Sequence, residues 1–518
     1  MLPGIRSERV VLIIAVFIAG LCSIVYELLV SATSSYFLGD SVKQFSLIIG
    51  VYMAAMGVGS FLSQYLDRGL LVWFVFIELA LGFMGGAAIP VLYGAFHGLS
   101  PGAYQGLVLG VIFLIGALTG FEIPLLTRIM KAYYPLKANL ANVLSLDYIG
   151  ALAATLLFPF VLLPDFGLFR TGVAFGLLNV GMGLFVYGHF QEHVPIAHRR
   201  WVGAISLLIG LLFAALLWRS GDLLAAWEGR AYPHRVVYAE QTPYQHLAIT
   251  HNAGDFRLYI NRVIQFSSLD EHRYHEALAL IPAAAAQPCR RVLILGGGEG
   301  LLAREVLKLP EVESVTVVDL DERVFALAGR LPALTALNDS ALADPRVQLL
   351  AEDAALFLRS DTSQYDLILA DLPDPSSEAV ARLYSTFFFR LIRARLSVGG
   401  AFATQATSPF HSRKAFWCIH ETVRAAGFAH VYPYHVYVPS FGEWGFVMAT
   451  LRPVNPAHYA RQAPTRYLEE TLLPQLFYFD RDLRAPAEGL RPNTLDRPSL
   501  LDYYLSDWSR WQREESYY

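Results

Sequence analysis

Charge is scarce in this chain. Of its 518 residues only 16% are Asp, Glu, Lys or Arg, and 55% are hydrophobic. A soluble protein usually carries about 25% charged residues. The shortage is uneven: up to Trp218 charges come in short clusters, and from Glu240 onward they return at ordinary density. Positive charge is not in excess, since the net charge is −4. That argues against a nucleic-acid partner, which needs a basic face. Cysteine is nearly absent. Cys22, Cys289 and Cys418 form neither a metal-type spacing nor an even disulfide framework, and they read as small buried hydrophobes. No G-K-[ST] follows the glycine-rich loop at 296–300, which excludes a Walker-type phosphate loop.

What remains is a chain of two kinds, too long for one domain. Spanning a bilayer takes roughly 20 apolar residues. Stretches of that kind lie at 10–33, 43–65, 70–94, 105–127, 143–164, 168–188 and 200–218, so about seven spans are expected. The first is too long for a signal peptide. Small residues recur within them, as in AAMGVGS (54–60) and FMGGAA (83–88), and let helices approach closely in lipid. Four acids, Glu27, Glu78, Glu122 and Asp147, fall in or beside the spans. They suggest either a polar cavity able to hold a cation or acids that are protonated or interfacial. Glu122, near Pro124 in TGFEIP, suits a helix break at the interface. The Arg and Lys residues at 6, 9, 68, 128, 131, 137, 199 and 200 fall on one side if there are seven spans, with Lys43 and Arg170 opposite. The positive-inside rule then puts the N-terminus in the cytoplasm and the following domain outside.

From Tyr238 the pattern changes to short runs. HLAITHN (246–252), FRLYINR (256–262) and VIQF (263–266) read as strands of a small β-hairpin region, and 274–286 as a helix. Strands are expected at 291–295, 314–320, 347–353, 365–371 and 400–405, with helices at 301–309, 321–331, 380–396 and 412–426. Such alternation predicts a Rossmann-like parallel sheet covered on both faces. Closing strands are expected at 430–440 and 444–451. The domains expected are a transmembrane helical domain at 1–220, a second domain at 221–453 (hairpin region 235–268, sheet 288–453), and a tail at 454–518 packed against it.

The stretch VLILGGGEGLLAREV (292–306) is an apolar strand, a glycine cluster and a helix start. Gly296, Gly298 and Gly300 give G-x-G-x-G, with Leu301 where a dinucleotide fingerprint wants its last Gly. Glu299 weighs against a pyrophosphate, because a carboxylate repels phosphate and attracts a cation. Asp319 ends the second strand about 20 residues on, where ribose hydroxyls are commonly held. An adenosine-like nucleoside with a cationic arm fits: S-adenosylmethionine or a relative. Asp371 and Asp374, in ADLPDP (370–375), belong to the same strand-end crevice. With Asp353 they make an acidic pocket suited to a polyamine. A carboxylate there accepts the proton an attacking amine must lose, and Tyr274 and Tyr384 are placed to orient that amine.

The ordered motifs TPYQHL, YHEAL, LGGGEG, VVDLDE, AEDA, ADLPDP, LYSTFFF, ATQATSP and EWGFVMAT resemble the aminopropyltransferases, spermidine synthase and its relatives, over roughly 238–451. The apolar N-terminal half and NTLDRPSLLDYY (493–504) resemble the membrane-bound bacterial members. The resemblance implies a class I methyltransferase-type sheet and transfer of the aminopropyl group of decarboxylated S-adenosylmethionine to putrescine or a longer polyamine. It implies no metal and no resident cofactor, the donor being a co-substrate. Gln245 and Glu299 would contact the donor or methylthioadenosine, Asp319 its ribose, and Asp353 and Ala354 its adenine. Tyr274 and His275 would border the polyamine, Asp374 would bind it, and Asp371 would be the general base. Glu299 stands where the common pattern has Asp, and Leu372-Pro373 where it has Ser or Thr; both are closer to thermospermine synthases and leave the acceptor open. The expected partners are the two substrates and a lipid bilayer, and a homodimer is admitted. A cytoplasmic donor would place the catalytic domain in the cytoplasm of an inner-membrane protein, against the charge count above. Rival functions are an S-adenosylmethionine-dependent methyltransferase and a polyamine transporter or sensor that binds without turnover.

Overall fold

The computed structural model describes residues 3–38, 41–96, 98–191, 196–455, 463–487 and 489–515, and they form two compact units divided at 233/234. The helix Ser220–Ala231 therefore goes with the first unit, and the boundary lies past the 220/221 read from composition.

The first unit is helical: α1 (Pro3–Leu38), α2 (Ser41–Leu62), α3 (Leu70–Phe96), α4 (Pro101–Met130), α5 (Leu136–Leu157), α6 (Gly167–His189), α7 (Ile196–Trp218) and α8 (Ser220–Ala231). Among the described residues six stretches are long and apolar enough to cross a membrane; the fifth, Lys137–His189, runs 53 residues and covers the expected spans 143–164 and 168–188. At 1.5 Å per residue it is far longer than a ~30 Å hydrocarbon core. It is interrupted by a wide-turned segment, Phe158–Phe166, and by Gly167 at φ +70°. On either side the chain packs on different partners, α5 along α1 and α6 along α3. Small residues sit where backbones meet. A Cβ on Gly120 would lie 2.2 Å from the Met56 carbonyl oxygen, and one on Gly59 1.9 Å from that of Ala117. The α2–α4 seam therefore requires both glycines. Glu122 corrects one expectation: α4 runs on through Pro124, and Glu122 is buried rather than at a helix break.

The second unit holds two sheets. Strands β1 (Arg235–Gln241), β2 (His246–Asn252), β3 (Asp255–Ile260) and β4 (Val263–Ser267) form an antiparallel meander in chain order. Its two tight turns carry positive φ at both central residues, Ala253-Gly254 and Asn261-Arg262, the twist that two-residue hairpins need. Strand β1 was not among the strands read from the sequence.

Helix α9 (Glu271–Ala285) follows, and then seven strands: β5 (Arg291–Gly296), β6 (Ser314–Asp319), β7 (Val347–Ala351), β8 (Tyr365–Asp371), β9 (Leu396–Gln405), β10 (His430–Val438) and β11 (Gly442–Thr450). Their order is β10-β11-β9-β8-β5-β6-β7. Strands β5 to β9 run parallel, and β11 and β10 close the edge antiparallel. From β5 the chain moves outward to β6 and β7, then crosses back to β8. The crevice at the carboxyl ends of β5 and β8 is the switch point where open α/β sheets bind ligands. Apolar cores cover both faces of the sheet, and β5 and β8 read as continuous buried runs.

The helix expected at 380–396 is broken. Short turns at 378–384 give way to Thr386–Arg395, because Ser385 caps a new start at Phe388 N. Among the elements not anticipated are a helix at Ala354–Ser360 and a tail helix at Ser499–Glu515 packed against Arg413–Ala425.

Candidate active site

Strand β5 leads into the glycine loop and α10 (Leu301–Leu307). Gly296 pairs in register with Asp371 on β8. It adopts φ +83°, and a Cβ there would lie 1.9 Å from the Asp371 carbonyl oxygen. Only glycine lets the two strand ends approach this closely. Gly298 donates its N–H to Asp319 Oδ2 at 3.1 Å, and a Cβ on it would come within 2.7 Å of that oxygen. Gly300, also at φ +83°, turns the chain into α10. Asn338 anchors the loop by donating to the Glu299 carbonyl at 2.9 Å.

Four predicted residues converge beside this loop. The Tyr274 hydroxyl donates to Asp371 Oδ1 at 2.6 Å. One ligand atom each of His275, Glu299 and Asp371 lies within 4.8 Å of the others. His275 Nε2 faces Glu299 Oε1 at 3.7 Å, and Nδ1 meets Glu271 Oε2 at 2.9 Å. Behind Glu271 stands Arg304, gripping both carboxylate oxygens at 2.9 and 2.8 Å. Glu299 Oε1 is buried and accepts no hydrogen bond.

Burial sets the electrostatics. Asp371 is pushed up to about 6, first by desolvation and then by the Glu299 charge, with His275 and the Tyr274 hydrogen bond opposing. Desolvation also lifts Asp319 to about 6. For His275, burial lowers the pKa, but the hydrogen bond with Glu271 and the neighbouring carboxylates of Glu299, Glu271 and Asp371 outweigh it and raise it to about 10. Burial likewise opposes the ionised form of Glu271, yet His275 and Arg304 hold it down at about 2. An imidazolium is thus built into the site.

A second group lies just beyond Leu372-Pro373. The Tyr384 hydroxyl donates to the carbonyls of both residues at 3.1 Å. Asp374 is raised to about 6 by desolvation, with the opposing hydrogen bonds coming from Tyr504, Gln405 and Thr407. Tyr504, on the tail helix, donates to Asp374 Oδ2 at 3.0 Å, while Gln405 and Thr407 reach Asp374 only at 3.4 Å. Tyr504, Gln405 and Thr407 were missed as site residues. Their motifs were visible in the sequence, but nothing local in LLDYY or TQATSP points to an aspartate up to 130 residues away.

The remaining predicted residues lie to the side. Gln245 donates to Asp321 Oδ2 at 3.2 Å, two residues beyond Asp319. Asp353 lies two residues past β7 and caps the helix Ala354–Ser360, accepting from Ala355 N at 2.9 Å and Leu356 N at 3.1 Å. Its other oxygen pairs with Arg382, and Ala354 is buried in the first helical turn.

Known proteins settle the family. Polyamine aminopropyltransferase 1 of Ralstonia nicotianae is 41% identical over 514 residues, covering 97% of this chain and 96% of that protein. The chain belongs to the polyamine aminopropyltransferases. The aminopropyltransferase of Leptospira interrogans is also 41% identical, over 96% of this chain and 99% of its own. That of Mycobacterium tuberculosis is 36% identical, over 96% and 97%. The family description Spermine/spermidine synthase domain matches residues 271–457, from α9 to just past β11. Among solved structures, a spermidine synthase in complex with the transition-state analogue AdoDATO aligns at TM-score 0.45 and 23% identity, over 48% of this chain and 88% of its own. As an aminopropyltransferase the chain transfers an aminopropyl group, and the relatives' similarity runs through both units rather than the catalytic one alone.

Proposed function

We propose that the crevice between β5 and β8 takes decarboxylated S-adenosylmethionine and a polyamine, with Asp371 as general base. The carrying observation is the buried Tyr274–Asp371 hydrogen bond beside Glu299 and His275. In the reaction the amine nitrogen attacks the propyl carbon bonded to the sulfonium. The C–S bond breaks, its electron pair neutralises the sulfur, and methylthioadenosine leaves. The proton released from the new ammonium goes to Asp371. A carboxylate raised to about 6 is a stronger acceptor than an ordinary one and is still mostly ionised at neutral pH. Asp319 supports the ribose reading, since the loop N–H of Gly298 orients one of its oxygens. Asp374, with Tyr384 and Tyr504 close by, suits the far amine of the acceptor. For Asp353 and Ala354 an adenine contact would come from the helix start that Asp353 caps.

The helical unit is best read as the membrane anchor of the enzyme. Its supports are the six apolar stretches and their outward apolar side chains, such as Leu208, Leu211 and Trp218. A reporter fused after Tyr518 tests the side of the membrane: a cytoplasmic signal fits the donor's origin, and an external one fits the charge count.

The test of the reaction is incubation of the detergent-solubilised protein with decarboxylated donor and a panel of amines, reading methylthioadenosine. Turnover with putrescine or a longer polyamine is expected. Asp371→Asn should lower kcat by about 10²–10⁴-fold, the usual contribution of a general base. Absence of methylthioadenosine with every amine, or full activity in D371N, refutes the assignment. Preference for the carboxylated donor would favour a methyltransferase instead.

A further inference from the structure

The helical unit contains a polar centre that aminopropyl transfer does not use. Glu78 on α3 and Glu122 on α4 are 0% and 2% exposed, and Asn179 on α6 is fully buried with them. Asn179 Nδ2 donates to Glu78 Oε2 at 2.9 Å. The carboxyl groups of Glu78 and Glu122 face each other closely enough to share a proton. Apart from that shared proton, no donor reaches Glu78 Oε1, Glu122 Oε1 or Asn179 Oδ1.

The surroundings supply no donor for them. Tyr26 and Tyr52 adjoin the pair from α1 and α2, but their hydroxyls donate to the Phe175 and Ser23 carbonyls at 3.0 Å. Thr119, one turn before Glu122, donates to the Ile115 carbonyl at 3.0 Å. Cys22 is the other titratable neighbour on α1. Among the described residues no Lys, Arg or His pairs with either carboxylate; Arg128 pairs with Asp67 and Arg219 with Asp222 instead. The next acid along is Asp147 on α5, half exposed, with Oδ1 against Gly20.

We propose that Glu78, Glu122 and Asn179 form a binding site for one small alkali-metal cation of sodium type, which exchanges with a proton. The unpaired groups are all acceptors, so a cation is what completes them. They are hard oxygen ligands, of the kind that alkali and alkaline-earth cations take, and the low charge of the proton-sharing pair favours a monovalent one. Two carboxylates sharing one proton carry one net negative charge, and exchanging that proton for one monovalent ion leaves this charge unchanged. Helices α3 and α6 pack closely at this point, since a Cβ on Gly183 would sit 3.1 Å from Glu78 Cβ. Asp147 gives the ion and the proton a polar step toward the surface of the unit. The exchange balances: one sodium ion enters and one proton leaves the carboxyl pair.

The test uses the full-length protein in detergent, in weakly buffered solution with a pH indicator. Sodium chloride replaces choline chloride at constant ionic strength. Saturable, sodium-specific release on the order of one proton per chain is expected, because ligating carboxylates must shed protons. Glu78→Gln with Glu122→Gln together should abolish it. Asn179→Ala keeps both carboxylates and should shift the half-saturating sodium concentration upward by about tenfold or more. No sodium-specific release from the wild type overturns the proposal, as does release of equal size from the double variant. An unshifted midpoint in N179A also overturns the three-residue site. Methylthioadenosine release, measured on the same preparation, reports separately on the catalytic reading.

Discussion

Tyr504→Phe is the most informative single change in the catalytic unit. It removes one oxygen and leaves the ring in the core cluster that also holds Phe416 and Phe479. What it deletes is the 3.0 Å hydrogen bond to Asp374 Oδ2. The other side-chain donors to this buried carboxylate, Gln405 and Thr407, stand at 3.4 Å, so Tyr504 is the principal support of its charge. A hydrogen bond to a charged acceptor contributes about 1.5–3 kcal/mol. At 1.36 kcal/mol per pKa unit that is about 1–2 units. The sign follows from which form is stabilised. Tyr504 donates to the carboxylate, so its loss favours the protonated acid and raises Asp374 from about 6 toward about 7–8. At pH 7 the ionised fraction falls from about nine-tenths to about one-quarter for a midpoint near 7.5, and it recovers by about pH 9. The assay is kcat/KM for the amine as a function of pH. The acid limb should move upward in Y504F, with near-normal values on the alkaline side. Coincident acid limbs would show that Asp374 need not be ionised, or that Tyr504 does not support it. A uniform drop at every pH would reduce Tyr504 to a packing residue.

Gly298→Ala brings a methyl group within 2.7 Å of Asp319 Oδ2, so the loop or the aspartate must move. The KM for the aminopropyl donor should rise about tenfold or more while that for the amine barely changes; equal effects on both would argue against a nucleoside at Asp319. His275 is raised to about 10, so its charge stabilises the fold fully below its ordinary pKa of 6.5 and ceases to as pH climbs through 10. Thermal scans between about pH 7 and 10 should show the wild type losing more of its unfolding temperature than His275→Asn; parallel losses would mean that the imidazolium is not the cause. Glu276, fully buried on α9, accepts the backbone N–H groups of Arg466, Tyr467 and Leu468 at 2.6–2.9 Å. Glu276→Ala should destabilise the unit by about 3 kcal/mol and speed proteolysis in the tail, and wild-type resistance would show that the tail is held elsewhere.

The readable parts of this chain were those governed by burial. Parallel strands covered on both faces must be apolar throughout, so RVLIL and YDLILAD stand out. The glycine cluster marks where β5 ends, and the acids at 319 and 371 follow at the ends of the strands flanking it. The apolar stretches of the first unit are legible for the same reason, and Pro159, Pro164 and Gly167 announce the interruption after α5. Strand β1 was hidden because its exposed and half-buried residues alternate without any fully buried position. Asp353 shows a different limit. An acid at a strand end reads equally as a ligand contact or as the cap of the next helix, and its neighbours Ala355 and Leu356 carry no mark of the N–H groups it accepts. Within the Arg304–Glu271–His275 relay, Glu271 and His275 are one helical turn apart, but the Tyr504–Asp374 contact and the Arg304–Glu271 link are long-range facts. They depend on where a tail helix docks and how α9 lies against α10, which no local pattern encodes.

The relay also explains how so acidic a site is built at all. Glu299, Asp319 and Asp371 crowd one loop, and burial penalises the charges of Asp319 and Asp371. Without a cation the cluster would take up protons and lose its attraction for a sulfonium and an ammonium. His275 supplies that cation, but a buried imidazole is neutral unless something holds its proton. Glu271 does so from the opposite ring nitrogen, and Arg304 keeps Glu271 ionised in turn. The chain of alternating charge runs from the protein interior to Glu299, whose Oε1 has no hydrogen-bond donor. One imidazolium is too little to neutralise three carboxylates, so the crevice stays negative overall while Asp371 sits near the protonation boundary. That balance suits chemistry in which two cationic substrates arrive and one proton has to be taken up.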